Sequence, residues 1–186
     1  MGVGPALMTA RAAFEDATGA VADFEYLIRR HERQVLMTAL RLLGNLEDAQ
    51  DAAQEVFLRL YKHRRRIEEA LGIRGWLYRA TVNVCRDIGR RRKTPMVPLE
   101  DTLAAAPERD PNAAITRDQQ RRVLAEALEL LPEKERAAVI LRDLEGLETS
   151  EVARILGSSE TTVRSEISRA RVKLKKFADK ALRRMA

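Results

Sequence analysis

The sequence predicts an all-α protein of two small helical domains joined by a flexible acidic linker, the second domain containing a helix-turn-helix. Hydrophobic residues make up 45% of the chain and aromatic residues only 4%, so the cores must consist mainly of Leu, Ile, Val and Ala. Its 186 residues include only nine glycines and six prolines, and the apolar residues recur at helical rather than alternating spacing. These observations are typical of small helical bundles.

The first predicted domain covers residues 24–93 and follows an Ala-rich N-terminal extension, residues 1–23. Its first helix is expected to end at Gly44, after which the side-chain oxygen of Asn45 can cap the next helix. That second helix reads DAQDAAQEVFLRLY. Its inward stripe consists of small and aliphatic residues: Ala49, Ala52, Ala53, Val56 and Leu60.

The outer face of this second helix is mostly polar and carries Asp48, Asp51, Gln54, Glu55 and Leu58. A basic loop, KHRRRIEEALG, leads to a third helix, which reads IRGWLYRATVNVCRDIGRRRK. Leu77, Ala80, Val84 and Ile88 form its predicted buried stripe. A different face carries Trp76, Arg79, Asn83, Arg86 and Arg90.

Residues 94–118 are predicted to form the flexible linker, because four prolines remove amide donors and disfavour helix in the residues before them. The linker has a net charge of −3, whereas residues 1–93 carry +5 and residues 119–186 carry +4. The two basic blocks favour a polyanionic partner, although net charge alone is as compatible with a solvated surface.

The second predicted domain covers residues 119–186 and contains two short helical patterns around LGSS. Thr149 or Ser150 can cap the first of them, and Gly157 allows the left-handed conformation that ends it. Ser158 or Ser159 can cap the second. This arrangement is typical of a DNA-binding helix-turn-helix, with an ordinary helical hairpin as the alternative.

The second helix of this motif is predicted to face DNA with cations and hydroxyl groups. At 100° per residue its core side carries Val163, Ile167, Ala170, Leu174 and Phe177. The opposite side carries Thr161, Arg164, Ser165, Ser168 and Arg169. Glu166 lies on the flank, where a carboxylate would repel phosphate, and we expect it to pair with a nearby Arg or Lys rather than to contact cytosine.

The chain resembles a known family at several of these motifs. The runs DAQDAAQEVFLRLY and RGWLYRATVNVCRDIGRRRK resemble region 2 of bacterial sigma factors, and LPEKERAAVILRDLEGLETSEVARILGSSETTVRSEISRARVKL resembles region 4. No region 3 separates them, as in the extracytoplasmic-function (ECF) type of the sigma-seventy family. The resemblance covers residues 24–93 and 119–177. It implies an initiation factor whose partners are the clamp helices and flap of core RNA polymerase, promoter DNA and an anti-sigma factor.

The resemblance also implies site residues by position. Asp48, Asp51, Gln54, Glu55 and Leu58 match the polymerase-core-binding surface. Arg64, Arg65, Arg66, Trp76, Tyr78, Arg79, Asn83, Arg86 and Arg90 match residues that melt and hold the minus-ten element. Thr161, Arg164, Ser165, Ser168 and Arg169 match those that read the minus-thirty-five element. For Trp76 a simple core position is the alternative, and for the linker a passive tether is the alternative to a path toward the polymerase active site.

Two other functions are alternatives to this one. An autonomous helix-turn-helix regulator would use the first domain for dimerisation or sensing. An enzyme is disfavoured because the only histidines are His31 and His63, and no phosphate-binding Gly-rich loop, CxxC or HExxH occurs. The sequence therefore predicts no catalytic residue, metal site or cofactor.

The single cysteine, Cys85, cannot form an intramolecular disulfide, which favours a reducing compartment. The N-terminus does not resemble a signal peptide, and no apolar run approaches the roughly 20 residues that span a bilayer. We expect a soluble cytoplasmic protein without membrane insertion.

Overall fold

The computed structural model describes the backbone of residues 5–63, 71–91 and 122–185, and the side chains of residues 24–63, 71–91 and 122–180. No strand occurs in these ranges, and the predicted all-α class is confirmed. The helices are α1 (Pro5–Leu43), α2 (Leu46–His63), α3 (Gly72–Arg91), α4 (122–129), α5 (Glu133–Val139), α6 (Thr149–Leu156) and α7 (Glu160–Met185). A π-helical turn, Ile140–Leu144, continues α5.

The chain divides into two compact units, Met1–Gln34 and Val35–Ala186. In the first unit, α1 runs back to Pro5, and the Arg30 guanidinium donates to the Tyr26 hydroxyl one turn earlier at 3.0 Å. The second unit contains the end of α1 and all the other helices. The predicted linker, residues 94–118, lies outside the described residues.

The predicted junction between α1 and α2 is confirmed. Gly44 has a positive φ of 78°, a conformation that glycine adopts without steric cost, and its amide donates to the Leu40 carbonyl at 2.8 Å. The Asn45 side-chain oxygen accepts the Asp48 amide at 2.8 Å, which caps the first turn of α2.

Helices α2 and α3 pack through small and aliphatic side chains. The predicted inward stripe of α2 is buried at all five positions, and Ala49 and Ala52 are fully inaccessible. On α3, Leu77, Ala80 and Val84 are buried, whereas Ile88 is only half-buried. Because alanine lets two helix backbones approach closely, this pair forms a compact platform for the side chains on its outer faces.

The helix-turn-helix consists of α6 and α7. Gly157 has a left-handed φ of 61°, and the Ser159 hydroxyl accepts the Thr162 amide at 3.1 Å, as two of the predicted caps require. The prediction of Thr149 or Ser150 as the cap of α6 is wrong, because α6 already begins at Thr149 and the cap is Glu148. The Glu148 amide donates to the Glu151 carboxylate at 3.0 Å. The start of α6 is therefore capped by an acidic capping box instead of by the predicted hydroxyl group.

The core of this half is formed where α7 packs on α5 and α6. Val152 and Ile155 on α6 and Val163, Ile167 and Ala170 on α7 are buried. Truncation of one large aliphatic side chain in such a core typically costs about 2–5 kcal/mol of folding free energy. The core therefore fixes which face of α7 points outward.

Candidate polymerase and nucleic-acid interfaces

The outer face of α2 carries an exposed stripe of mixed chemistry. Asp51, Gln54 and Leu58 are exposed, Leu58 at 55%, and Glu55 is half-buried with its carboxylate 2.7 Å from the Arg59 guanidinium. This stripe offers a carboxylate, an amide and an apolar side chain to a partner.

The exposed face of α2 differs from the predicted one at two residues. The sequence predicts Asp48 on this face, but Asp48 is only 5% exposed, and its carboxylate accepts the Asn45 side-chain amide at 2.7 Å. The structure adds Tyr61, which is 47% exposed and lies one turn beyond Leu58. The spacing of Asp51, Gln54, Leu58 and Tyr61 is the helical signal that identifies it.

The residues predicted for the minus-ten element differ widely in exposure. Asn83 and Arg90 are exposed, Trp76, Arg79 and Arg86 are half-buried, and Tyr78 is 1% exposed. Arg64, Arg65 and Arg66 lie outside the described residues. Trp76 is thus neither fully core nor fully exposed.

Tyr78 is buried against the other half of the same unit. Its hydroxyl donates to the Glu145 carboxylate at 2.9 Å, and the Arg74 guanidinium lies 5.6 Å from the centre of its ring. Burial, with smaller contributions from Glu145, raises the pKa of Tyr78 to about 12, against 10 for an ordinary tyrosine. The phenol is therefore a neutral hydrogen-bond donor at physiological pH.

The Glu145 carboxylate accepts hydrogen bonds from residues of two other helices. Its Oε1 accepts the Thr38 hydroxyl at 2.9 Å and the Arg41 guanidinium at 2.5 Å, both on α1, while its Oε2 accepts Tyr78 of α3. We call Glu145, Thr38, Arg41 and Tyr78 the Glu145 cluster. The Glu145 amide donates to Ile140 at 3.0 Å, which closes the π-helical turn that ends this helix.

Three further contacts join the region 2-like half to the region 4-like half. The Arg79 guanidinium donates to the Arg154 carbonyl at 2.7 Å, and Arg86 forms an ion pair with Glu133. The Arg136 guanidinium donates to the Leu42 carbonyl at 2.9 Å, and also to two carbonyls near the end of α4. Burial lowers the pKa of Arg136 because the charged form is partly desolvated.

Cys85 lies on a cavity of about 280 Å³ between these halves, whose walls include Leu42, Arg86 and Arg136. The thiol belongs to a residue only 5% exposed, and burial raises the pKa of Cys85 to about 12. Since the thiolate is the reactive form, burial disfavours reaction of this thiol while the two halves are packed together, an arrangement that we call closed.

The face of α7 that the sequence predicts to meet DNA is exposed. Thr161, Arg164, Ser165, Ser168 and Arg169 are all exposed. Arg164 is paired with Glu160 one turn earlier at 2.6 Å. Glu166 lies 2.9 Å from the Arg169 guanidinium, so the expectation that it pairs with a nearby cation is confirmed.

In the described ranges, no helix has the length and apolarity needed to cross a membrane. The same ranges contain no group of three or more His, Cys, Asp or Glu side chains arranged to hold a metal ion.

Comparison with known proteins places these features in a family. The family model described as Sigma-70 region 2 matches residues 27–94, and that described as Sigma-70, region 4 matches residues 121–174. The chain is 36% identical over 152 residues to the ECF RNA polymerase sigma factor SigM of Mycobacterium tuberculosis, covering 81% of this chain and 74% of SigM. The chain belongs to the ECF sigma factors of the sigma-70 family.

Other relatives agree with this assignment. The ECF sigma factor SigE of Mycolicibacterium smegmatis is 38% identical over 171 residues, covering 89% of this chain and 66% of SigE, just under two thirds of its length. Among solved structures, CnrH in complex with the cytosolic domain of CnrY aligns with a TM-score of 0.65 at 25% identity, covering 90% of this chain and 94% of that chain. RpoE of Bartonella quintana, crystallised with the anti-sigma factor NepR, aligns with a TM-score of 0.66 at 20% identity, covering 84% of this chain and 97% of that chain, and this likeness shows the fold.

Family membership confirms the predicted function at the level of the whole chain: this ECF sigma factor is a promoter-specific transcription initiation factor. The autonomous helix-turn-helix regulator is not favoured, because region 2 accounts for the half that this alternative left unexplained. The family is not one of enzymes.

Proposed function

We propose that this ECF sigma factor docks on core polymerase through α2, opens the minus-ten element with α3 and reads the minus-thirty-five element with α7. The observation that carries the proposal is the outward face of α7, where all five predicted DNA-reading residues are exposed on a helix-turn-helix. Arginine and hydroxyl side chains on such a face suit base edges and phosphates in a major groove.

The docking surface consists of Asp51, Gln54, Glu55 and Leu58, with Tyr61 extending it by one turn. Carboxylate and amide oxygens can accept hydrogen bonds from arginines of the clamp helices, and charge-assisted bonds of this kind are the stronger ones. Leu58 and Tyr61 add apolar area beside them. Asp48 contributes indirectly, because its buried side chain helps to fix the start of α2.

The strand-opening surface lies on α3. Trp76 offers an aromatic face on which an unpaired base can stack, while Arg79, Arg86 and Arg90 can follow the phosphate backbone. Stacking and backbone contacts of this kind would offset the few kcal/mol lost when a base leaves the duplex. Arg64, Arg65 and Arg66 remain assigned to this surface on the resemblance alone.

The two DNA-binding surfaces must move apart before both can act. The promoter elements are named for positions about 25 base pairs apart, or about 85 Å at 3.4 Å per base pair. In the free chain, by contrast, α3 packs on α6, and Arg79 donates to the Arg154 carbonyl at 2.7 Å. Docking on core polymerase would separate the halves, and the linker, residues 94–118, would span the gap between domains 24–93 and 119–186.

An anti-sigma factor is proposed as a further partner, and the cytoplasm as the site of action. Support comes from the solved relatives, because RpoE of Bartonella quintana was crystallised with the anti-sigma factor NepR. A partner that bound only the form in which the two halves are packed together would compete by mass action with the separation that core polymerase is proposed to cause.

Run-off transcription tests the proposal directly. Purified chain is added to sigma-free core polymerase on a library of genomic fragments from the source bacterium, with core polymerase alone as the control. We expect start-site-specific transcripts that appear only when the chain is present. Core binding without any specific transcript would contradict the promoter-reading proposal, and failure to bind core would contradict the docking surface.

A further inference from the structure

A buried carboxylate lies beneath the DNA-facing side of α7. Glu135 of α5 is 5% exposed, and its two oxygens accept the Lys173 ammonium at 2.9 and 2.8 Å. Its Oε1 also lies 3.5 Å from Nε of Arg169. A buried carboxylate is stable only when cations or donors satisfy it, and both of these cations come from α7.

A second carboxylate holds the same arginine from the other side. Glu166, whose side chain is 15% exposed, lies 2.9 Å from Nη2 of Arg169. The Arg169 guanidinium therefore lies between a carboxylate of α5 on its Nε side and a carboxylate of its own helix on its Nη2 side. Its side chain nevertheless stays 55% exposed, and a guanidinium has five N–H donors, more than these two contacts use.

Arg164 provides the contrast on the same face. It is held by Glu160 alone, through an exposed pair between consecutive turns. Such exposed pairs are weak and exchange readily with other partners. Arg164 is thus paired only within its own helix, whereas Arg169 also contacts a buried carboxylate of a second helix.

We propose that Glu135 and Glu166 are positioning residues that set the base preference of α7 by fixing the orientation of Arg169. This inference rests on the proposed function of α7 as the reader of the upstream element. The cluster of Glu135, Glu166, Arg169 and Lys173 combines two carboxylates with two cations. It therefore has no net charge. The cluster therefore favours selectivity over general attraction to phosphate.

The test is binding of the complete holoenzyme to duplexes carrying an upstream element that the wild-type holoenzyme has first selected from a random pool. Each base pair of the element is then substituted singly, and binding is measured at several salt concentrations. Wild type is compared with Glu166→Gln, Glu135→Gln and the control Asp143→Asn. The control removes a carboxylate that pairs with Arg171 of α7 at 2.7 Å but does not contact Arg169.

We expect Glu166→Gln to lose discrimination at one base-pair position by about fivefold or more, the range of a single mismatch. Its overall binding should tighten, and the dependence on salt should steepen by up to about one unit of slope, because Arg169 becomes available to phosphate. Glu135→Gln should act in the same direction, and Asp143→Asn should keep the wild-type preference.

Two results would overturn the inference: an unchanged preference at every position in Glu166→Gln, or an equal loss at every position. Because Glu135 is buried and its variant can lose stability, the less buried variant Glu166→Gln decides, with its melting temperature measured alongside. If the wild-type holoenzyme selects no upstream element at all, the proposed function of α7 fails instead, which separates the two conclusions.

Discussion

Helices α3 and α7 both carry arginines predicted to meet DNA, but those arginines are held in different ways. On α3, Arg79 and Arg86 bond to groups of the region 4-like half. On α7, Arg164 and Arg169 bond to carboxylates within their own half. Under the proposed function, the face of α7 is accessible to DNA in the free chain, whereas the contacts of α3 have to be released first.

This contrast suggests an order of events for an ECF sigma factor of this architecture. The proposed duplex reading by α7 would need no rearrangement of its own half, because the face proposed to read DNA is already exposed. The proposed strand opening by α3 would need loss of the Glu145 cluster and of the contacts made by Arg79, Arg86 and Arg136. Coupling that loss to polymerase docking would keep free sigma factor from capturing single strands.

The largest expected effect comes from a substitution on α2, outside both α3 and α7. Asp51→Arg places a cation on the docking stripe of α2, where it would repel the arginines expected on the clamp helices. Core binding and transcription should be lost while helical content stays unchanged. The measurement is co-purification with core polymerase and circular dichroism.

Glu25→Arg is the matched control for that experiment, because it reverses an exposed charge on α1 outside the matched family regions. It should bind core normally. If Asp51→Arg bound core polymerase with wild-type affinity, α2 would not be part of the docking surface. Docking through α2 could then not be the cause of the release of α3.

Glu145→Gln should weaken the closure of α3 by about 2 kcal/mol, the typical contribution of a hydrogen bond to a charged group. Such a change raises the open population about 30-fold. Cys85 is a native reporter, because it is the only cysteine and lines the cavity between the halves. Its alkylation rate should rise in Glu145→Gln and stay slow in the surface variant Glu148→Gln.

Arg164→Ala tests the proposed reading of DNA by α7. We expect binding to the upstream element to fall about tenfold, within the 1–3 kcal/mol typical of one side chain that reads a base. Core binding and the Cys85 alkylation rate should not change. An equal fall on fragments with and without the upstream element would mean that Arg164 makes only phosphate contacts.

The smallest expected effect is on pH dependence. The pKa of Tyr78 is raised to about 12 in the closed form, so that form binds the phenolic proton more tightly than the open one. The contribution of Tyr78 to closure is fully present below pH 10 and is lost as the pH rises from 10 to 12. The measurement is the tyrosinate absorbance of wild type minus that of Tyr78→Phe as the pH is raised. This difference should show one phenol that titrates above pH 10, and titration near pH 10 would contradict the burial of Tyr78.

Local features were predictable from the sequence because their causes are local. Gly44 and Gly157 end helices by their own backbone preference, and Asn45 and Ser159 cap by reaching three residues ahead. The buried stripe of α2 and the exposed face of α7 follow from helical spacing alone. The same reasoning gave the pairing of Glu166 with a neighbouring cation.

Long-range features were not predictable in this way. Glu145 and Thr38 are 107 positions apart, and no periodicity joins them. The sequence around Glu135 gives no sign of its role, because only the fold places it under α7. Asp48 was misplaced because helical spacing puts it at the edge of the outer face, where its bond with Asn45 turns the carboxylate inward.

The most direct test of the central claim is the distance between α3 and α6, measured by energy transfer between dyes at Asp87→Cys and Ser150→Cys in a Cys85→Ser background. Both sites are exposed and lie on helices that pack together, and α3 is about 30 Å long, so the free chain should give efficient transfer. In the holoenzyme bound to a promoter, the halves should lie several tens of Å further apart and transfer should nearly vanish. Equal transfer in the free chain and in the promoter complex would contradict the account.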